Sequence, residues 1–392
     1  MQVSVPGMNM RIGVVSTLYP TLYNPTAGIF VKEELDNLSG QVEVRLIAPF
    51  PNHRWFIERH SQIDTPAYTV IRPFTLAFPR WFMQRFYPWS MAFMLRRIGR
   101  EFFKRCDLIH AHNVFPEGVA SVIAFNEKLP VIITAHGSDV CYFALKPHLK
   151  PGIIRASNSA RKIICVSSYL AQNLKKLGVT AKTVVIPNGI DTVFYTPCDK
   201  TSASVYLGLD SRRPRILYAG NFVPHKGVEY LIMAMPAVLE KFPRCELVLL
   251  GAKPGTADNS PYRDLIETLK IGHVVKIVER MPHAQIPPWM HASDLLALPS
   301  ITEGFGIVAA EALACGKPVV ATKPGGPEDI IEEGMGFLVP KKDSGALAQA
   351  ILEVLDGDSI LDSKILAESA RSRFSYDKVT EKIIEVYRDV IS

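Results

Sequence analysis

The chain has 392 residues, enough for two or three domains, and its 48% apolar and 21% charged content excludes wholesale disorder. Its prolines and glycines are scattered, which excludes collagen-like and linker-like chains, and its six cysteines (Cys106, Cys141, Cys165, Cys198, Cys245, Cys315) include no C-x-x-C pair, which argues against a zinc ribbon or a disulfide framework. Residues 1–200 carry 23 Lys+Arg against 13 Asp+Glu and residues 201–392 carry 21 against 25, so a basic first half beside a mildly acidic second half suggests two domains with different partners.

The opening MQVSVPGMNMRIGVVST lacks a basic region followed by a long apolar core, so no signal peptide is expected. No window reaches the roughly 18 apolar residues that a spanning helix needs, and the expected location is cytoplasmic. Six short apolar, β-branched runs follow in the first half: Arg11–Thr17, Val42–Pro49, Asp107–His112, Pro130–His136, Lys162–Ser167 and Thr183–Pro187. Six more occupy the second half: Arg215–Gly220, Glu246–Gly251, Val274–Glu279, Asp294–Pro299, Pro318–Thr322 and Gly336–Pro340. Most are apolar throughout rather than alternating, as parallel strands buried on both faces require. Helical stretches such as Gly227–Leu239, Pro261–Leu269 and Ile307–Ala314 separate them, which predicts βαβ units in two doubly wound α/β domains. The expected bounds are 1–195, joined by a last helix at 376–392, and 212–372, with the boundary in the pattern break near 192–214. Two such domains facing each other would form a cleft at the strand carboxyl ends.

Glu303-Gly-Phe-Gly-Ile-Val-Ala-Ala-Glu311 places two carboxylates around a predicted helix start after the strand-like DLLALPS. Gly304 and Gly306 allow close backbone approach, and the helix start offers N–H groups to a phosphate. Glu303 should lie in the loop ahead of the helix and Glu311 inside it, a separation that suits one carboxylate on a sugar and the other on a ribose, with a diphosphate between.

With its surroundings, this motif resembles the retaining glycosyltransferases of family 4 (group 1), which have the two-domain GT-B fold. The marks run over nearly the whole chain: NPTAGIFVKEEL, HAHNVFPEGVAS, TAHGSDV, VIPNGID, AGNFVPHKG, SITEGFGIVAAEALACGKPVVAT, GGPEDII and GFLVP. The resemblance implies transfer of a hexose-type sugar from a UDP- or GDP-linked donor to an acceptor hydroxyl with retention of configuration, in cell-envelope or exopolysaccharide synthesis on a glycan or lipid-linked acceptor. It implies that Glu311 holds the ribose and that Glu303, with the backbone of Gly304, Phe305 and Gly306, holds the transferring sugar. Lys226 should neutralise the diphosphate, Gly28 should let a helix N-terminus approach it, and His136 should face the sugar near the reacting carbon. Asn221 stands where the family usually carries an Arg, so it brings a hydrogen bond but no charge. Base contact is placed around Glu279–Met281, which adds Arg280 to the donor site. Departure of the phosphate should itself help deprotonate the acceptor on the same face, with Glu303 binding rather than attacking. The rival readings are a non-catalytic nucleotide-sugar-binding protein and a GT-B epimerase.

Asp139 either caps the helix after His136 or touches a ligand. His110 and His112 alternate on one strand and read as cleft-lining or packed residues rather than metal ligands, since no third ligand is evident. The D-x-D at 356–358 follows a helix away from the other motifs, and no metal or other cofactor is expected, because Lys226 and helix dipoles can supply the positive charge. Neither a Walker A loop nor a full G-x-G-x-x-G occurs. Residues 72–106 hold ten of the 36 aromatics and eight basic residues against one acid. They either pack on the first sheet with a solvated basic face or meet an anionic inner-membrane surface or acceptor through Trp81, Arg85, Trp89, Arg96 and Arg97. Nucleic acid is not expected, since no recognition motif accompanies the charge.

Overall fold

The computed structural model describes residues 10–21, 24, 26–51, 67–76, 81–253, 261–323, 325–357 and 362–392. The chain divides into two compact units, Met1–Gly189 with Tyr376–Ser392, and Ile190–Ser375.

The first unit contains β1 (Arg11–Val15), β2 (Glu43–Ile47), β3 (Phe50–Pro51), β4 (Thr69–Ile71), β5 (Phe74–Thr75), β6 (Leu108–His112), β7 (Val131–Ala135), β8 (Lys162–Cys165) and β9 (Thr183–Val185). Seven of these form a parallel sheet in the order β4-β2-β1-β6-β7-β8-β9, and β3 pairs with β5 apart from it. All six expected strands are present. The seventh, β4, is three residues long and only partly buried. Buried Ile12, Val14 and Leu46 from the sheet pack with Val31 and Leu35 of the helix Ile29–Leu38 and with Ile383 and Tyr387 of the helix Tyr376–Ile391. The last helix thus returns to this unit because Val379, Ile383, Ile384, Val386 and Tyr387 form its buried stripe.

The second unit contains β10 (Arg215–Ala219), β11 (Glu246–Ala252), β12 (Val275–Glu279), β13 (Leu295–Leu298), β14 (Val319–Thr322) and β15 (Gly336–Val339), all parallel in the order β12-β11-β10-β13-β14-β15. That is the 3-2-1-4-5-6 order of a doubly wound sheet, whose switch point lies where β10 parts β11 from β13. The 192–214 stretch is not a bare connection. It carries the helix Lys200–Leu207, started by Asp199, whose carboxylate accepts from the Ser202 N–H at 2.7 Å, and ended by the left-handed Gly208. Arg215, fully buried at the start of β10, donates to Glu246 at 2.7 Å, to the Ala292 carbonyl at 2.6 Å and to the Asp210 carbonyl at 3.0 Å, tying that helix's trailing loop to the sheet.

Candidate active site

Three loops meet at the carboxyl ends of β10, β13 and β14. The first runs from Gly220 through the turn Pro224–Lys226 to Gly227, where the helix Val228–Lys241 begins. Gly227 is obligatory: its φ is 62°, and a Cβ there would lie 2.3 Å from the Pro299 carbonyl oxygen. The Ile301 N–H donates to the His225 carbonyl at 2.8 Å, fastening this loop to the one after β13. The third loop closes on the second, because the Gly326 N–H donates to the Glu303 carbonyl at 3.1 Å and a Cβ on Gly326 would meet the Phe305 Cα at 2.4 Å.

This packing brings Lys226 and Glu303 together. Nζ lies 2.6 Å from Oε2, which also accepts from the Ser300 hydroxyl at 3.1 Å. The helix Ile307–Ala314 starts four residues after Glu303, behind a left-handed Gly306, and Glu311 sits on its buried side. Glu311 Oε1 lies 2.7 Å from His283 Nε2, and the same ring nitrogen lies 2.8 Å from the hydroxyl of the fully buried Tyr195. His283 is a residue that the sequence pattern did not single out. Phe305 is buried and packs edge-on against Phe374, so that residue can meet a ligand only through its backbone. Asn221 is exposed at the end of β10, and its carbonyl accepts from the Tyr218 hydroxyl at 2.9 Å. Arg280 is exposed directly after β12, held by its N–H on the Ala252 carbonyl at 2.7 Å.

Gly28 and His136 belong to the first unit. Gly28 starts the helix Ile29–Leu38 with a φ of 65°, and a Cβ there would lie 2.4 Å from the Leu18 carbonyl carbon, so the helix start sits directly on the loop after β1. His136 follows β7. Burial pushes its pKa down to about 3, and Nε2 lies 3.0 Å from His112 Nδ1. Asp139 is buried and accepts from the N–H groups of Val114, Gly137 and Val140 at 2.8, 2.8 and 3.0 Å, which braces the ends of β6 and β7. Glu117 does the same for the loop after β1 by accepting from the Thr17 N–H at 2.9 Å and from its hydroxyl.

Glu34, His110 and His112 place one donor atom each within 4.8 Å of one another, so a third group does stand beside the two histidines. Both nitrogens of His110 are nevertheless engaged, Nδ1 with the Tyr387 hydroxyl at 2.7 Å and Nε2 with the Thr134 hydroxyl at 2.6 Å. That commitment leaves His110 as a packed residue with no lone pair for a cation. Asp356 pairs with Lys241 at the far end of the helix Val228–Lys241, about 20 Å from the site at 1.5 Å per residue, and Asp358 lies outside the described residues.

The basic aromatic stretch forms a turn at Trp81–Phe86, a helix at Tyr87–Met94 and its continuation through Phe102. It divides by face. Met91 and Leu95 are buried, whereas Trp89 is 62% and Phe93 68% exposed. Arg85, Arg96 and Arg97 are exposed, with Arg85 over the Phe86 ring and Arg96 donating to the Ile123 carbonyl at 2.6 Å. Residues 77–80 and the side chain of Trp81 lie outside the described set. No described helix is long and apolar enough to cross a membrane.

Two family models cover these two units in turn. Residues 27–194 match Glycosyltransferase Family 4, and residues 199–373 match Glycosyl transferases group 1. An uncharacterised glycosyltransferase of Methanocaldococcus jannaschii is 30% identical over 295 residues, 72% of this chain and 76% of that one. The chain is a family 4 (group 1) glycosyltransferase. A putative teichuronic acid biosynthesis glycosyltransferase of Bacillus subtilis, TuaC, is 28% identical over 97% of this chain and 99% of its own. Among solved structures, Anabaena HepE in complex with UDP matches with a TM-score of 0.75 at 22% identity, covering 97% of this glycosyltransferase and all of HepE, a likeness of fold. The two parallel-sheet domains are those of the GT-B fold.

Proposed function

We propose that this glycosyltransferase is a retaining, metal-independent enzyme that moves a hexose from a UDP- or GDP-linked donor to the hydroxyl of a glycan or lipid-linked acceptor in cell-envelope or exopolysaccharide synthesis. The observation that carries this reading is the 2.6 Å contact between Lys226 and Glu303 at the start of the Ile307–Ala314 helix, with Glu311 buried further along it. A diphosphate on Lys226 would place the sugar it carries against Glu303, and the ribose on its other side against Glu311. As the glycosidic bond breaks, negative charge grows on the departing phosphate, and a fixed ammonium beside it is worth more to that state than to the ground state. Glu303 is already committed to Lys226 and Ser300, which suits a carboxylate that orients sugar hydroxyls rather than one that attacks carbon. The departing phosphate oxygen then takes the acceptor proton on the same face.

HepE has been solved with UDP-glucose, and TuaC is named for teichuronic acid biosynthesis; both fit a nucleotide-sugar donor and an envelope polymer. On this reading the exposed Trp89 and Phe93, flanked by Arg85, Arg96 and Arg97, seat the first unit on an anionic inner-membrane surface near its acceptor. Incubating the purified protein with UDP-glucose, UDP-N-acetylglucosamine and GDP-mannose, each with and without EDTA, tests the donor. Release of one nucleoside diphosphate, unchanged by EDTA and lost in Lys226→Ala, is expected. Donor binding by folded protein without any turnover, even with acceptor extracts, would favour a binding protein instead.

A further inference from the structure

Behind His136 lies a row of buried polar groups that the donor site does not use. His136 Nε2 is 3.0 Å from His112 Nδ1, with ring centroids 5.3 Å apart and ring planes 10° from parallel, so the two rings meet edge to edge. His112 Nε2 is 3.7 Å from Glu34 Oε1, and neither atom has a hydrogen-bond partner. His136 Nδ1, at the opposite end, is also buried and unpartnered. The three residues come from the helix Ile29–Leu38, the last position of β6 and the residue after β7, all within the first unit. The other titratable groups facing Glu34 are His110, with both nitrogens engaged, and Tyr387 from the Tyr376–Ile391 helix.

We propose that Glu34 is a positioning residue that sets, through His112, which nitrogen of His136 carries the proton. A neutral imidazole has one N–H, so the direction of each hydrogen bond in the row dictates the next. With Glu34 protonated, its O–H donates to His112 Nε2 after a shift of under about 1 Å. His112 Nδ1–H then donates to His136 Nε2, and His136 bears its proton on Nδ1. With Glu34 ionised, every bond reverses: His112 Nε2–H donates to the carboxylate, His136 Nε2–H donates to His112 Nδ1, and His136 Nδ1 becomes an acceptor. One proton leaves the row and both rings stay neutral. Burial pushes Glu34 up to about 8 and His136 down to about 3, so at pH 7 the first arrangement holds and Nδ1 is a donor. What this does for catalysis rests on the proposed placement of His136 beside the transferring sugar; the tautomer itself does not.

Long-range proton–nitrogen spectra of the full-length protein labelled with 15N-histidine read the tautomer directly, with His136 assigned by its loss in His136→Asn. In the wild type, the Nδ1–H form is expected at pH 7, giving way to Nε2–H with a midpoint near pH 8. Glu34→Gln keeps an N–H donor to His112 but cannot ionise, so it should hold the Nδ1–H form from pH 6 to 9. Glu34→Leu should give a pH-independent mixture. A single tautomer in the wild type and Glu34→Gln alike, at every pH, would overturn the proposal even if Glu34→Leu fails to fold. Donor turnover on the same samples separates the two readings. A wild-type rate that halves near pH 8, beside a flat Glu34→Gln profile, supports both. Spectra that follow Glu34 while turnover ignores it keep the relay and overturn the placement of His136 at the sugar.

Discussion

Lys226 can serve a diphosphate only if it is held still, and the structure holds it twice: through Glu303 at 2.6 Å and through the loop contact of Ile301 with the His225 carbonyl. Lys226→Ala should therefore cut kcat by about 10²–10³ with little change in donor affinity, as loss of a preorganised charge at a transition state does. Steady-state kinetics on the best donor would check it. Glu311 belongs to the ribose on this reading, so Glu311→Ala should raise the donor KM about 10- to 100-fold, the equivalent of about 1.5–3 kcal/mol for hydrogen bonds to a charged group, and leave kcat within a few-fold. His283 touches Glu311 and not the reacting atoms, and His283→Ala should show the same KM effect in weaker form. The two glutamates stand out in the sequence because a spacing of carboxylates around a helix start has a chemical meaning by itself, whereas Lys226 stands out only through the family resemblance. His283 and Glu34 do not, since each becomes relevant only when folding brings it to a partner far away in the chain, 28 residues in the first case and 78 in the second.

At the level of the elements, the twelve expected strands all form, and most are legible because a strand buried on both faces leaves a continuous apolar run, the partly exposed edge strands β9 and β12 being the exceptions. The helix Lys200–Leu207 goes unread because its first turns are Thr and Ser and only two of its residues are buried, although Asp199 and Gly208 are ordinary helix start and stop signals. That helix depends on Arg215. Removing the guanidinium leaves the Ala292 and Asp210 carbonyls without this donor and the buried end of Glu246 with Arg213 as its remaining partner, and Arg215→Ala should destabilise the second unit by about 3–5 kcal/mol in urea unfolding. Titration of the first unit's buried groups makes its stability depend on pH. Glu34 and Glu117 are raised from 4.5 to about 8 and about 7, so the folded state binds more protons than the unfolded one in that window, and their contribution falls as pH rises. His110 and His136, lowered from 6.5 to about 3, and His112, lowered well below 6.5, act oppositely, an effect that fades by about pH 7.5 as the unfolded histidines lose their protons. Between about pH 7.5 and 8.5 the carboxyls prevail. Melting temperature should fall across that interval, and Glu34→Gln should flatten the fall.

For the whole molecule, the proposed function assigns an anionic surface to the basic first half of the chain and the donor to the mildly acidic second half. Cosedimentation with vesicles containing phosphatidylglycerol should deplete the protein from solution, and a Trp89→Ser/Phe93→Ser/Arg97→Ala variant should stay behind while still binding nucleotide. Equal cosedimentation of both would remove the membrane from the account. On the proposed function, Lys226, Glu303 and Glu311 form one donor site. Isothermal titration of UDP and GDP into the wild type and Glu311→Ala, with and without EDTA, tests it most directly. One of the two nucleotides should bind, indifferent to EDTA, and Glu311→Ala should weaken it at least tenfold. Unchanged affinity in folded Glu311→Ala, or no binding of either nucleotide to the folded wild type, would contradict it.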